Sequence, residues 1–358
     1  MVSDGIPGAR GPSALSTGRS VIHRRTRKRG VGRLDCGRVP GVNIAIVGLG
    51  LIGGSLLRAL RAGGHQVVGF DADPATRELA AAAGFEVAAD VARAVEQAEL
   101  VVLAVPLPAL PGVFEQLAGH AGLITDVTSV KAPVRDLAAK HGVLRFVGGH
   151  PMAGKETSGF GATDAALFAG CAWVLTVDSE TDLPDWLTLA TLCTELGARV
   201  VPVSSAEHDR AVAEVSHVPH LFAAALALQL RDNPLAGALA AGSFRDGTRV
   251  AATRAELIVA MCGGNASEVD SALGRLIGEL EQMRRALGTD PVRDLTPAVA
   301  RAGELRRAWP SSPGQPADMT ATVDGLLELG RAGGWVTRVA EDMATVETMR
   351  PESGRYDL

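Results

Sequence analysis

The run Val42-Asn-Ile-Ala-Ile-Val47 leads straight into Gly48-Leu-Gly50-Leu-Ile-Gly53, and a helical pattern comes directly after. A bare G-x-G-x-x-G spacing says little. Placed between a strand and a helix, it is a specific fingerprint for a dinucleotide site. Gly48 permits the tight turn, Gly50 lets the backbone approach a pyrophosphate, and Gly53 lets the helix pack close to the strand. Leu49, Leu51 and Ile52 complete the loop and open the helix, whose positive end faces the phosphates.

Beyond the fingerprint the chain alternates. Strand patterns at Gln66–Phe70, Leu100–Ala104, Leu123–Asp126 and Leu144–Val147 are separated by helical patterns at Leu51–Ala62, Pro74–Ala83, Leu107–Ala118 and Ala132–Lys140. This predicts an α/β, Rossmann-type, doubly wound parallel sheet. Ala172–Val177 and Arg199–Val203 add strands around a helix at Asp185–Leu196. After Ser204 the strands stop. Ala206–Leu230, Pro234–Ala241, Arg254–Met261 and Ser267–Leu287 all read as helices, which predicts an all-α second domain suited to dimerisation. The expected organisation is therefore a basic arm (1–41), an NAD-binding domain (42–203), a helical substrate and dimerisation domain (204–290) and a C-terminal extension (291–358). The extension carries helical patterns at Asp294–Ala308 and Thr320–Ala332, with a hairpin at Val336–Val339 and Ala344–Met349.

The net charge is −5 over 358 residues, which argues against nucleic acid as the main partner. That sum hides a basic first forty residues, expected to be disordered. The abrupt onset of pattern at Val42 favours a start codon placed too far upstream over a nucleic-acid-binding arm. Four scattered cysteines form no C-x-x-C, so neither a disulfide framework nor a zinc site is expected, and a reducing cytoplasm is the natural setting. No apolar run reads as long enough to span a membrane.

Asp71 closes the second strand, about twenty residues past the glycines. A carboxylate there accepts from a ribose 2′-OH and repels a 2′-phosphate, so NAD is favoured over NADP; Arg77 nearby complicates this. As a helix cap before Pro74, Asp71 competes with Asp73. Val105, Pro106 and Thr128 fall at strand ends on the nicotinamide side. His150 comes just after the strand at Leu144–Val147, where such sheets gather their chemistry, and an imidazole there can take a proton near neutral pH.

Five ordered motifs point one way: GLGLIGGS at Gly48–Ser55, DVTSVK at Asp126–Lys131, GGHPMAGKETSG at Gly148–Gly159, SHVPH at Ser216–His220 and RDGTRVA at Arg245–Ala251. Together they resemble the prephenate/arogenate dehydrogenase family of tyrosine biosynthesis, over about Val42 to Leu287. The resemblance implies NAD-dependent oxidative decarboxylation of a cyclohexadienol in a homodimer. His150 is then the base that takes the C4 hydroxyl proton, and Ser129 bonds both the hydroxyl and the histidine. Arg249 binds a substrate carboxylate, with Asp246 orienting it and Gly242 allowing close approach. Ser216, His217 and His220 face the substrate side chain, and Glu156 gates the mouth. Lys131 is left to a structural or phosphate-facing role. His217 and His220 share a helix face, but no third ligand makes them a metal site.

Prephenate is the expected substrate because Ser216–His220 contains no acid to meet an ammonium; arogenate is the alternative. Another β-hydroxyacid or imine dehydrogenase would want a catalytic lysine in the helical part, and none follows Lys155. A non-catalytic NAD-binding protein would not need both His150 and Arg249. Some relatives carry a regulatory ACT-type domain, but no βαββαβ pattern is evident after Asp290.

Overall fold

The computed structural model describes residues 41–352; the basic arm read from the sequence lies outside them, apart from Gly41. The chain begins as the fingerprint predicts. Strands β1 (Asn43–Val47), β2 (Gln66–Phe70), β3 (Glu86–Val87), β4 (Leu100–Leu103), β5 (Leu123–Asp126) and β6 (Phe146–Val147) form one sheet, all parallel, in the order β3-β2-β1-β4-β5-β6. Helices α1 (Leu51–Ala62), α2 (Pro74–Ala82), α3 (Val91–Val95), α4 (Leu110–Gln116) and α5 (Ala132–Lys140) connect them. Residues of β1 alternate between two cores, as a period of two demands. Ala45 and Val47 pack with Phe114 and Val134, whereas Ile44 and Ile46 pack with Leu57 and Leu60. Both faces are apolar because helices or a second layer cover both.

That second layer departs from the sequence reading. β7 (Gly149–Pro151), β8 (Ala172–Thr176) and β9 (Arg199–Val203) do not extend the first sheet. They build another, joined by β10 (Ala317–Thr320), β11 (Trp335–Val339) and β12 (Thr345–Met349), in the order β10-β12-β11-β9-β8-β7. The C-terminal extension thus returns across the helical segment to pair β11 with β9. Its elements, β10, α14 (Val323–Arg331), β11 and β12, make four of the six of a βαββαβ unit; the hairpin read from the sequence is β11–β12. Helix α6 (Leu183–Glu195) buries Trp186 in the core that the two sheets share. Short-range patterning marks β8, β9, β11 and β12 but neither β7 nor β10, and it does not say which sheet a strand joins: β9 meets β11 across more than a hundred residues.

The helical layer comprises α7 (Ser205–Val212), a π-turn at Ala213–His217, α8 (Val218–Ala227), α9 (Pro234–Leu239), α10 (Gly242–Thr248), α11 (Ala255–Gly264), α12 (Ala266–Ala286) and α13 (Pro291–Ala308). It extends past the predicted end at 290. The π-turn breaks the expected continuous helix where Pro219, which lacks an N–H, must be accommodated. The run Ser205–Leu230 has the length and mean hydropathy, 1.4, to cross a bilayer, against the expectation that none does. Yet His208, Asp209 and His217 in it are buried and hydrogen-bonded within the fold.

Gly330 on α14 reports on this second layer. A Cβ there would stand 1.7 Å from the carbonyl oxygen of Pro202 on β9. Gly330→Ala should cost about 1–3 kcal/mol by overpacking, read as a lower urea midpoint. An unchanged midpoint would show that α14 does not pack on β9 in this way.

Candidate active site

Two of the three glycines in the cofactor cradle, Gly48 and Gly53, tolerate no side chain. Gly48 has φ +100°, and a Cβ on it would meet the Ala104 carbonyl oxygen at 2.4 Å; on Gly53 it would meet the Gly48 carbonyl oxygen at 1.9 Å. At Gly50 a Cβ would meet nothing within 4 Å, because that residue borders open space. Gly50 caps α1 without a side chain, and the first turn carries no acid, so its backbone N–H groups remain free for an anion. Gly48, Gly50, Leu51, Ile52, Asp71, Val105, Pro106 and Thr128 all line one cavity of about 770 Å³. Leu49 instead turns into the core, and Gly53 packs behind the loop. These residues fit a dinucleotide.

Asp71 is held for its task. Its Oδ2 accepts from Leu49 N at 2.7 Å and its Oδ1 from Asp73 N at 2.9 Å. Asp73 caps α2, accepting from the backbone of Ala75 and Thr76. Arg77 donates to the carbonyls of Asp71 and Ala72 at 2.6 and 3.1 Å, so its guanidinium is engaged on the strand end.

His150 lies on β7, the edge strand of the second sheet, and is buried at 9 % exposure. Its Nδ1 stands 2.9 Å from His208 Nε2, and His208 Nδ1 stands 2.7 Å from Asp209 Oδ1. Among the described residues its Nε2 has no hydrogen-bond partner, and it is not sealed from the surface. Burial pushes the His150 pKa well below the ordinary imidazole value, and neighbouring His208, Lys131 and His217 add to this. Burial also lowers His208, against the pull of Asp209. Asp209 itself resists burial. Hydrogen bonds from His208 and from the Ala132 and Lys131 amides hold its carboxyl below the usual value.

Lys131 takes the structural role. Fully buried, it donates to the Asp126 carboxylate, to the Gly149 carbonyl at 2.6 Å and to Thr128 Oγ1 at 3.2 Å. It therefore ties β5 to the residue before His150. Ser129 lines the cavity but makes no hydrogen bond to His150 among the described residues, nor does it cap α5. The Asp209 carboxylate does that work, accepting from Lys131 N and Ala132 N at 2.8 and 2.9 Å.

The substrate-binding residues expected on the helical side are less gathered. His220 Nδ1 stands 3.2 Å from the Val250 carbonyl, joining α8 to the turn that begins at Arg249. Ser216 and His217 lie in the π-turn. His217 is fully buried; its Nδ1 accepts from Asn265 Nδ2 at 3.2 Å, and its Nε2 has no partner. Arg249 is exposed, outside the cavity lining. Asp246 does not orient it, because its carboxylate lies 3.9 Å from Arg245 instead. Gly242 faces no close backbone: a Cβ there would meet only Arg245 Nη2, at 4.0 Å. Glu156 is exposed in the loop whose neighbours Lys155 and Thr157 border the cavity. No group of three or more metal-ligating residues occurs among the described residues.

Four residues escaped the sequence reading. His208 and Asp209 form an ordinary dipeptide whose partners lie 58 and 78 residues away. Asn265 donates to the Asp209 carbonyl at 2.7 Å from between α11 and α12, and Arg254 reaches the cavity from the helical layer. None has a spacing that sequence could flag.

The buried imidazoles set a pH dependence. Burial takes His217 down to about 4, with Asp209 pulling the other way, whereas an unfolded imidazole titrates near 6.5. The unfolded chain therefore binds the proton first, and stability falls as pH drops from about 6.5 toward 4. His150 and His208 steepen the same slope. Thermal melts should show a shallower decline for His217→Asn over this window. Parallel declines would mean that His217 is not held neutral.

Residues 56–202 match the family model of the prephenate dehydrogenase nucleotide-binding domain, and residues 204–299 match that of the prephenate dehydrogenase dimerization domain. The chain is 32% identical to the prephenate dehydrogenase of Bacillus subtilis over 284 residues, covering 75% of this chain and 76% of that one. A structure of Synechocystis arogenate dehydrogenase is similar at a TM-score of 0.68 and 29% identity, over 75% of this chain and 100% of that one. A structure of prephenate dehydrogenase from Aquifex aeolicus, in complex with hydroxyphenyl propionate and NAD+, is similar at 0.71 and 27%, over 76% and 99%. The glycine cradle, the buried histidine on β7 and both domain matches agree, and this chain belongs to the prephenate dehydrogenase family.

Proposed function

We propose that this chain catalyses the NAD-dependent oxidative decarboxylation of prephenate to 4-hydroxyphenylpyruvate. The observation that carries the reading is His150: an otherwise buried imidazole with its Nε2 left open, on a strand tied by Lys131 to Thr128 at the cofactor cavity. Bound NAD+ supplies the hydride acceptor. His150 accepts the C4 hydroxyl proton as the C4 hydride leaves. The ring carboxylate departs as CO2, and its bonding electrons make the ring aromatic. The proton held on His150 returns to the phenolate oxygen. A depressed pKa keeps the imidazole neutral and ready as a base at physiological pH.

Arg249, exposed and without an ion pair among the described residues, is free to bind a substrate carboxylate through paired hydrogen bonds. His220, His217 and Ser216 belong to the side-chain end of the substrate, with Gly242 and Asp246 beside them, and Glu156 to the mouth. Ser129 completes the hydroxyl site, and Asp71 selects the ribose of NAD. The helical layer exposes Leu235, Leu239, Val259 and Val292, an apolar surface that a second copy would cover in a cytoplasmic homodimer. Arogenate is the second reading, favoured by the likeness to an arogenate dehydrogenase. The absence of any acid in Ser216–His220 favours prephenate.

NADH formation with prephenate and with arogenate, and with NADP+ as control, tests this directly. Prephenate with NAD+ should turn over fastest. His150→Asn should lose at least about 100-fold in kcat while binding NAD+ as before. No turnover with either substrate, or an active His150→Asn, would contradict the reading.

A further inference from the structure

Two side chains, His208 and Asp209, stand in line behind His150, and with neutral imidazoles their chemistry leaves only one arrangement of protons. Asp209 Oδ1 already accepts the Lys131 amide, and as a carboxylate it can only accept. His208 Nδ1, 2.7 Å away, must therefore carry a proton. In a neutral imidazole the other nitrogen is then a lone pair. His208 Nε2 is that acceptor, so His150 Nδ1, at 2.9 Å, must carry the next proton. The free position on His150 is a lone pair on Nε2, the nitrogen that none of the described residues engages.

We propose that His208 and Asp209 are positioning residues for the base: they hold the proton of His150 on Nδ1 and so present Nε2, unprotonated, to the substrate hydroxyl. This rests on the reading of His150 as the base. When His150 takes up the substrate proton it becomes an imidazolium in a largely buried site. Its Nδ1–H stays bonded to His208, whose own N–H points at a carboxylate, so the transient charge is balanced through the chain. The other cation nearby, Lys131, opposes that charge rather than balancing it. Lys131 is already paired with Asp126, and His217, also close, is neutral.

The anchor of the chain is rigid. Both carboxylate oxygens of Asp209 accept amides at the start of α5, and its carbonyl accepts from Asn265. The two imidazole planes cross at 77°, an edge-on approach that suits one in-plane N–H meeting one in-plane lone pair. A histidine kept only for packing would need neither the carboxylate nor this alignment.

Two measurements test the proposal. Two-bond ¹H–¹⁵N spectra of the full wild-type chain with labelled histidine read tautomers without any variant, the His150 signals being assigned by their loss in His150→Gln. Both His150 and His208 should be protonated at Nδ1. His150 protonated at Nε2 would overturn the proposal whether or not the chain oxidises prephenate, and an inactive chain with the Nδ1 tautomer would sink only the catalytic reading. In kinetics, His208→Leu should lower kcat about 100-fold with KM nearly unchanged. His208→Gln, which restores a carbonyl acceptor, should recover most of that loss. Equal losses in the two variants, or a change confined to KM, would overturn the role.

Discussion

The carboxylate of Asp209 is the point on which the two halves of the site depend. It belongs to α7 of the helical layer, yet it caps α5 of the first sheet and bonds His208, which in turn bonds His150 on the second sheet. A buried carboxylate with no such partners would cost several kcal/mol. Here every acceptor position that the fold uses meets an N–H, so the charge stays buried and becomes a fixed reference for the elements around it. Removing it would uncap a helix and release an imidazole together.

Around that reference the fold divides its labour. The first sheet offers a tight loop, with no room for a side chain at Gly48 or Gly53, and a free helix terminus, which is the geometry an anionic cofactor needs. The second sheet carries His150 on its edge strand and is completed at its far side by the C-terminal hairpin. Lys131 and Asp126 lock the two sheets together beside the base. The helical layer brings His208, His217 and His220, and the π-turn that holds His217 exists where Pro219 interrupts regular bonding. The proposed chemistry and the architecture share residues here, and many polar side chains are buried at one place.

Much of the first half was legible in the sequence because its signals are local. Gly48, Gly50 and Gly53 betray a backbone conformation, and Leu100–Leu103 or Leu123–Asp126 betray burial by their composition alone. His150 was legible through the motif around it. The rest was not, for two physical reasons. The second sheet is assembled by pairing β9 with β11, more than a hundred residues downstream, and no periodicity records a partner. The polar chain behind His150 depends on residues brought together by tertiary packing; His208, Asp209 and Asn265 look like any polar residues on a helix. Spacing suggested Asp246 beside Arg249, and the family resemblance put Ser129 beside His150; the structure shows neither contact among the described residues.

The proposed reaction requires that His150 Nε2 meet the reacting hydroxyl beside the nicotinamide. A crystal structure of this chain with NAD+ and a hydroxyphenyl propionate analogue tests that requirement most directly. The analogue's hydroxyl should lie about 2.6–3.2 Å from His150 Nε2, with the nicotinamide ring on the Val105–Thr128 side of the cavity. A hydroxyl bound beyond reach of His150, with Nε2 closed off by protein groups, would contradict it.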